Sequence, residues 1–227
     1  ATVDNRGFNL PAVPEHALIM TPASTVPDIV ADCAELGVPV VSILSDGFAE
    51  TGPEGAALQD RITATAQSTG IRVIGPNSIG LVNVRDNIPM TGNAVFGGVE
   101  AQAGGSFLIS QSGSMIGGLV SRGEPAGTQF SAVVSSGGEI DVTTPELALA
   151  ALDDPHTEEV LLFLEHVQDP VGMAELGRRA AETGKPVVAF KLGRSAEASE
   201  LTVSHTGALA GEDALTDRLL IENGIAR

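Results

Sequence analysis

His205 is the residue in this sequence whose surroundings best suit covalent chemistry. It lies in the segment Leu201–Gly211, between hydroxyl residues and just before Gly207. Small neighbouring side chains leave an imidazole ring accessible, and glycines let the backbone bend or approach a ligand closely. We therefore interpret His205 as a covalent nucleophile that carries a phosphoryl group. For the segment taken alone, the alternative is a loop histidine without a chemical role.

Glu165 is the carboxylate best suited to support such a histidine. It follows the apolar run Val160–Leu164, which is typical of a buried strand. A carboxylate at this strand end is partly removed from water, and it can hold one imidazole nitrogen so that the other reacts. We therefore pair Glu165 with His205 as the catalytic set. The alternative is a solvated strand end or a partner for an arginine.

A turn of small residues, SQSGS, connects a strand predicted over 106–110 to a helix predicted over 112–121. The free amides of the helix start and the hydroxyls of Ser112 and Ser114 would hold a phosphate dianion, and Gly113 permits close approach. The alternative is an ordinary helix capped by a serine.

Further turns of this kind follow other predicted strands. Gly137 and Gly138, in the turn SSGGE, would let the backbone approach the same phosphate, although glycine pairs are common in loops. In the first half of the chain, three loops follow successive predicted strands and could share one ligand. Their residues are Thr21, Pro22 and Ala23, then Ser45, Asp46 and Gly47, then Gly75, Pro76 and Asn77.

The elements between these turns alternate between strand and helix, so the fold class is α/β, with parallel sheets and crossover helices. The predicted strands are 17–20, 39–44, 71–74, 106–110, 129–135, 160–166 and 186–192. The predicted helices begin near residue 24 and then cover 54–69, 112–121, 144–152, 171–183 and 213–222.

Polar and glycine-rich residues at 81–105 are predicted to connect two domains, residues 1–103 and 104–227. No glycine-rich turn precedes the first predicted strand, and residues 225–227 would begin another strand. We therefore expect the chain to be a fragment of a longer polypeptide.

Composition restricts the partners. The 12 basic and 29 acidic residues give a net charge of −17, which repels a nucleic-acid backbone but allows local binding of a small anion by amides. No apolar run is long enough to span a membrane. The single cysteine, Cys33, cannot form an intrachain disulfide, which agrees with a cytoplasmic location. No cluster of histidine, cysteine and aspartate has the spacing of a metal site, so we predict none.

Taken together, the motifs resemble those of the NDP-forming acyl-CoA synthetases, the superfamily that includes the α subunit of succinyl-CoA synthetase. They occur in the family's order across nearly the whole chain. The form SHTGALAG is closer to the acetyl-CoA and feruloyl-CoA type of ADP-forming synthetase. The matching segments are SDGFAE (45–50), GPNSIGL (75–81), SQSGSM (110–115), SSGGE (135–139), Glu165 before Asp169-Pro170, KLGRS (191–195) and SHTGALAG (204–211).

The resemblance implies roles for these residues. His205 would be the phosphorylated histidine, Glu165 its orienting carboxylate, and Ser112–Ser114 the helix start that binds the phosphoryl group. The CoA site would include Thr21, Pro22, Ala23, Ser45, Asp46, Gly47 and Asn77. The implied fold is a partial Rossmann-like CoA-binding domain followed by a flavodoxin-like CoA-ligase domain.

The resemblance also implies partners. CoA and a carboxylic acid or acyl phosphate would be the substrates. ATP or ADP, with Mg, would be bound by an ATP-grasp domain or β-type subunit that this sequence does not contain, within a homo- or hetero-oligomer. The family's glycine-rich CoA-binding opening is not in this sequence. The alternative is a non-catalytic CoA-binding or regulatory module, as in some protein acetyltransferases.

Overall fold

The computed structural model describes residues 12–94, 103–192 and 213–227. Its first sheet contains three parallel strands in the order β1-β2-β3. These strands are β1 (Ala17–Ile19), β2 (Val40–Ile43) and β3 (Arg72–Ile74). Helix α1 (Val26–Glu35) connects the first two strands and α2 (Pro53–Thr69) connects the last two. This part of the chain thus has the strand–helix alternation predicted from the sequence.

Both helices have a proline in the first turn and a glycine just after the last turn. Pro27 and Pro53 lie in the first turns of α1 and α2, where the missing N–H costs no hydrogen bond. Gly37 and Gly70, which follow the helices, each have a φ of 80°, a backbone conformation that glycine adopts without strain. The apolar helix faces bury Val30, Cys33, Ile62 and Ala66 against the strand residues Val41, Ile43 and Val73.

Within the described residues, the second sheet has six strands in the order β5-β4-β7-β6-β8-β9. The pairs that join β7, β6, β8 and β9 are parallel, whereas β4 pairs antiparallel with both β5 and β7. The strands are β4 (Gly80–Asn83), β5 (Ile88–Thr91), β6 (Ser106–Ser110), β7 (Phe130–Ser135), β8 (Glu159–Leu164) and β9 (Val187–Lys191). The predicted α/β architecture with mostly parallel sheets is therefore confirmed.

Helices cover both faces of this sheet. On one face, α4 (Thr144–Asp153), α5 (Pro170–Thr183) and α6 (Asp213–Glu222) bury Leu152, Leu176 and Leu220 against Ile109, Leu162 and Ala189. On the other face, α3 (Gly113–Gly123) packs Ile116 and Val120 against Leu108 and Val133. Neighbouring residues of a strand point to opposite faces, so Leu108 and Ile109 belong to different cores.

The segment 81–105, predicted to be a connection, contains the hairpin of β4 and β5 in its described part, so that prediction is wrong there. Leu81 and Val82 pair with Val134 and Val133 of β7. The second sheet thus begins at Gly80, whereas the predicted domain boundary near residue 103 stays a prediction. At the other end, the strand predicted from residue 225 is present as a single parallel bridge between Val188 and Ala226.

The segment 138–142, a turn followed by bends, joins the two sheets. Ile140 N–H donates to Gly75 O over 3.2 Å, and Val142 N–H donates to Val73 O over 3.1 Å. The segment therefore satisfies backbone groups of β3, which is an edge strand of the first sheet. In the described part of the chain, no helix combines the length and the apolar character needed to cross a membrane.

Candidate functional site

The three predicted loops of the first sheet lie together at the carboxyl ends of its strands, where ligands bind in parallel sheets. Ser45 Oγ donates to Thr21 O, and Asn77 N–H donates to Ser45 O over 2.9 Å. A Cβ added to Gly47 would lie 3.1 Å from Ala23 Cβ. The structure therefore brings the predicted CoA-binding residues Thr21, Pro22, Ala23, Ser45, Asp46, Gly47 and Asn77 into one group.

Within this group, solvent reaches Pro22, Asp46 and Asn77, while Ser45 is half-buried. The N–H groups of Gly47 and the next residue, Phe48, both donate to Glu50 Oε1, over 2.6 and 3.0 Å. These two amides are therefore already bonded within the protein. The polar groups that the loops present to a ligand come chiefly from Asp46 and Asn77.

Helix α3 begins at the carboxyl end of β6, and its N-terminus has neither a side-chain cap nor an acidic residue. Ser112 is the N-cap residue, but its side chain makes no capping hydrogen bond, and no acidic residue lies in the first turn. Its hydroxyl instead lies 3.3 Å from Ser114 Oγ. The ordinary serine-capped helix is therefore not what the structure contains. Among the described residues, no side chain caps the first turn of α3, so its amides and positive dipole end favour an anion.

Gly137 has a structural reason to be glycine, whereas a Cβ on Gly138 would lie no closer than 3.4 Å to Pro76. Gly137 has a φ of 62°, and a Cβ there would lie 2.3 Å from Pro76 O. Gly138 N–H donates to the same oxygen over 2.7 Å. The Gly138 amide thus holds the turn against the loop at Pro76, which follows the first sheet. Binding of phosphate by the two glycines stays a prediction.

Glu165 directly follows β8 and is half-buried. Because β6 and β8 are neighbouring strands, their carboxyl ends meet, and Gln111 N–H donates to Phe163 O over 3.1 Å. Glu165 and the start of α3 therefore lie at the same edge of the sheet, as expected for residues that follow neighbouring parallel strands. Lys191, from the KLGRS motif, pairs with Leu164 at this edge and is buried, and its Nζ donates to Leu192 O over 2.6 Å.

Gln111 and Glu139 also lie at this edge, although the sequence patterns do not single them out. Both are buried, and Gln111 Oε1 accepts hydrogen bonds from the backbone N–H groups of Glu165 and His166 over 2.7 and 3.0 Å. Their only signal in the sequence is a polar residue inside each small-residue turn. A glutamine or glutamate in a loop is normally solvated, so the pattern did not distinguish them.

His205 and the whole segment Leu201–Gly211 lie outside the described residues, as do residues 193–195 of the KLGRS motif. The roles predicted for His205 and its loop therefore stay predictions. Of the other histidines, His156 is exposed and His166 follows Glu165. His16 precedes β1, at the opposite end of the first sheet, where its Nε2 lies 2.9 Å from Ser42 Oγ and burial lowers its pKa. Within residues 12–94, 103–192 and 213–227, acidic, histidine and cysteine side chains form no group that could hold a metal ion.

Comparison with known families identifies both halves of the chain. Residues 3–84 match the CoA binding domain, and residues 103–227 match the succinyl-CoA ligase like flavodoxin domain. The second match alone covers more than half of the chain. The chain belongs to the succinyl-CoA ligase-like family. The first matched region holds the three grouped loops, and the second holds the start of α3, Glu165 and His205.

Relatives in this family include ADP-forming ligases. The chain is 34% identical over 224 residues to the alpha subunit of acetate–CoA ligase (ADP-forming) I from Pyrococcus furiosus. The aligned region covers 97% of this chain and 46% of that relative. It is 30% identical over 221 residues to 4-hydroxybutyrate–CoA ligase (ADP-forming) from Nitrosopumilus maritimus, 31% of which is covered. The chain thus spans about half the length of the alpha subunit, or less than a third of the longer relative.

A solved structure shares the fold over nearly the full chain. The acetyl-coenzyme A synthetase 1 of Ca. Korarchaeum cryptofilum, in complex with phosphate and ADP, superposes with a TM-score of 0.86 at 27% identity. The match covers 96% of this chain and 46% of that one. The combination of a CoA-binding domain and a flavodoxin-like ligase domain, predicted from the motifs, is confirmed.

Proposed function

We propose that this chain is the CoA-ligase portion of an NDP-forming acyl-CoA synthetase. The enzyme interconverts acyl-CoA, phosphate and ADP with a carboxylic acid, CoA and ATP. The observation that carries the proposal is the meeting of two groups of residues at neighbouring strand ends. The grouped loops of the first sheet contact the turn at Gly138 through Pro76 O, and that turn adjoins β6, whose end leads into the uncapped start of α3.

The reaction proceeds in three group transfers. A phosphate oxygen attacks the carbonyl carbon of acyl-CoA, and the CoA thiolate leaves, which forms an acyl phosphate. A nitrogen of His205 then attacks phosphorus and the carboxylate leaves. Finally, a terminal phosphate oxygen of ADP attacks the phosphohistidine and the imidazole leaves, which yields ATP. Covalent catalysis of this kind divides one difficult transfer into easier ones.

The residues of this chain have distinct tasks in that scheme. The amides at the start of α3, with Ser112, Gly113 and Ser114, stabilise the negative charge of the phosphoryl group as it moves. Glu165 holds one nitrogen of His205 so that the other nitrogen is directed at phosphorus. The first-sheet loops hold CoA beside this site.

The nucleotide is handled outside this chain, in an ATP-grasp domain or a β-type subunit that also binds Mg. Two observations support such a partner. The Pyrococcus furiosus relatives carry the name subunit alpha. The Korarchaeum structure is a complex with phosphate and ADP, and this chain covers 46% of the chain it matches there. We further propose a cytoplasmic location, which the buried free thiol of Cys33 supports.

The test is ATP formation from acetyl-CoA, phosphate and ADP by the chain assembled with its nucleotide-binding part. Replacing Glu165 by Gln removes the orienting charge and should lower the rate by about 100-fold, in the range that a catalytic positioning group contributes. The matched control is Glu158→Gln, which changes an exposed carboxylate just before the amino end of β8. Equal rates for the two variants would remove Glu165 from the site. No activity in the unmodified assembly would instead favour a non-catalytic CoA-binding module.

A further inference from the structure

Gln111 and Glu139 form a buried polar pair at the carboxyl edge of the second sheet. Only 6% of Gln111 and 4% of Glu139 is exposed. Gln111 directly precedes Ser112, and Glu139 ends the turn that contains Gly137 and Gly138. Burial of an amide and a carboxylate is costly unless hydrogen bonds replace water. The contacts of the pair therefore show what this edge of the sheet is built to hold.

The Gln111 amide is bonded at both ends. Its Oε1 accepts from Glu165 N–H and His166 N–H, over 2.7 and 3.0 Å. Its Nε2 donates to Glu139 Oε1 over 2.8 Å and to His166 O over 3.0 Å. Rotating the amide by half a turn would place oxygen against two acceptors and nitrogen against two donors. The network thus permits one orientation of this side chain.

Glu139 fixes that orientation. Besides Gln111, its Oε1 accepts from Ser136 Oγ over 2.9 Å and from Thr144 Oγ1, and both hydroxyl residues are buried. Among the residues that the structure describes, Glu139 forms no ion pair. Its own φ of 52° is unusual for a residue that is not glycine. A buried carboxylate bound only by neutral donors, on a strained backbone, is costly to keep, and such features cluster at functional sites.

The backbone that this pair holds is the one that carries Glu165. We propose that Gln111 and Glu139 are positioning residues for Glu165. The Glu139 carboxylate orients the Gln111 amide, and the amide fixes the main chain at the point where the Glu165 side chain leaves β8. This inference rests on the proposed function, because the direction of Glu165 matters only if it acts on a reacting histidine.

The same pair connects Glu165 to the first sheet. Gly138, which precedes Glu139, donates its N–H to Pro76 O, and Ile140, which follows it, donates to Gly75 O. Pro76 and Gly75 belong to the loop that contains Asn77. The position of Glu165 is therefore set by contacts that reach the grouped loops proposed to hold CoA.

The test is the rate at which the assembled synthetase gains acid-labile phosphate from ATP, measured with the melting temperature of each variant. Gln111→Met keeps the length of the side chain and removes its four hydrogen bonds. We expect the rate to fall by about 10- to 100-fold, as when a supporting contact of a reactive group is lost. Glu139→Gln keeps the size of the side chain and weakens only the acceptor, so we expect a smaller loss in the same direction.

Two comparisons separate positioning from general stability. Ser106→Ala removes a partly buried hydrogen bond to Glu159 at the amino end of β6, so it should lower the melting temperature and leave the rate unchanged. In a Glu165→Gln background, Gln111→Met should cause no further loss, because no carboxylate remains to be positioned. In a Gln111→Met background, Glu139→Gln should likewise add nothing.

The outcomes are distinct. Additive losses in the Glu165→Gln background, or wild-type rates for both Gln111→Met and Glu139→Gln, would overturn the positioning role. If Gln111→Met does not fold, the Glu139→Gln series decides alone, by the same comparison with and without Glu165. An unmodified assembly that gains no acid-labile phosphate would contradict the proposed function instead.

Discussion

At the scale of single residues, backbone conformation decides how closely the loop at Pro76, after the first sheet, approaches the turn at Gly137 in the second. Gly137 has a φ of 62°, and Asn77, across the contact, has a φ of 54°. Both residue types tolerate the left-handed region of φ and ψ. The hydrogen at Gly137, in place of a Cβ, leaves room for Pro76 O. The residue types at this contact therefore set the distance between the loop at Pro76 and the turn that follows β7.

Gly137→Ala should destabilise the protein by about 2 kcal/mol, because the added Cβ meets a backbone oxygen and also strains φ. The measurement is the free energy of unfolding from urea denaturation.

The matched control is Gly37→Ala. Gly37 also has a positive φ, but a Cβ there would meet nothing within 4 Å. This variant should cost about 1 kcal/mol, from the backbone conformation alone. Equal costs for the two alanine variants would show that the close approach at Pro76 contributes nothing.

At the scale of elements, the contact between the sheets depends on β3 and the segment 138–142. Arg72, at the start of β3, donates to Asp141 over 3.0 Å and forms a two-pronged pair with Glu146 of α4, over 2.7 and 2.9 Å. The hydrogen bonds to Glu146 and Asp141 raise the pKa of Arg72. The ion cluster of Arg72, Asp141 and Glu146 therefore stabilises the contact between the first sheet and the second.

Arg72→Met should lower the free energy of unfolding by about 1 kcal/mol, the upper end for a half-exposed ion pair with good geometry. The loss should shrink in 1 M salt, because screening weakens the pair in the unmodified protein. Urea denaturation at low and high salt measures both effects.

Arg61→Met is the control for this prediction. Arg61 pairs with Asp28 over 2.6 Å, but both side chains are more than half exposed and both belong to the first unit. Its loss should be close to zero. A similar loss in the two arginine variants would contradict a special role for the cluster at β3.

The elements that follow long patterns were predictable. Helix α2 was predicted over 54–69 and covers Pro53–Thr69, because an apolar stripe bounded by proline and glycine specifies both ends. The β4–β5 hairpin was not, since its two strands have only four residues each and one contains Pro89. Such short strands become stable only by pairing with β7, and that pairing is not visible in the local sequence.

At the scale of the whole molecule, charge limits how an anion can bind. The chain carries a net charge of −17, which opposes long-range attraction of CoA or phosphate. An anion would therefore bind through local groups, such as the amides at the start of α3, or through the proposed nucleotide-binding partner. The negative net charge is consistent with an anion-binding site that is shared between this chain and the proposed partner.

The sequence specified most of the candidate site, because each predicted loop follows a strand and parallel strands place their carboxyl ends together. It could not specify the support beneath the site. Gln111 and Glu139 are 28 residues apart, and Gln111 contacts the backbone of residues 54 and 55 positions away. Only the strand order β7-β6-β8 brings these three segments side by side.

The central claim is that His205 carries a phosphoryl group, and it is tested most directly by mapping phosphate in the assembled synthetase after brief exposure to ATP. We predict acid-labile phosphate on the peptide that contains His205. The label should disappear in His205→Asn and persist in His156→Asn, which changes an exposed histidine. An unlabelled wild-type chain, or a label that remains in His205→Asn, would contradict a phosphoryl-carrying role for His205.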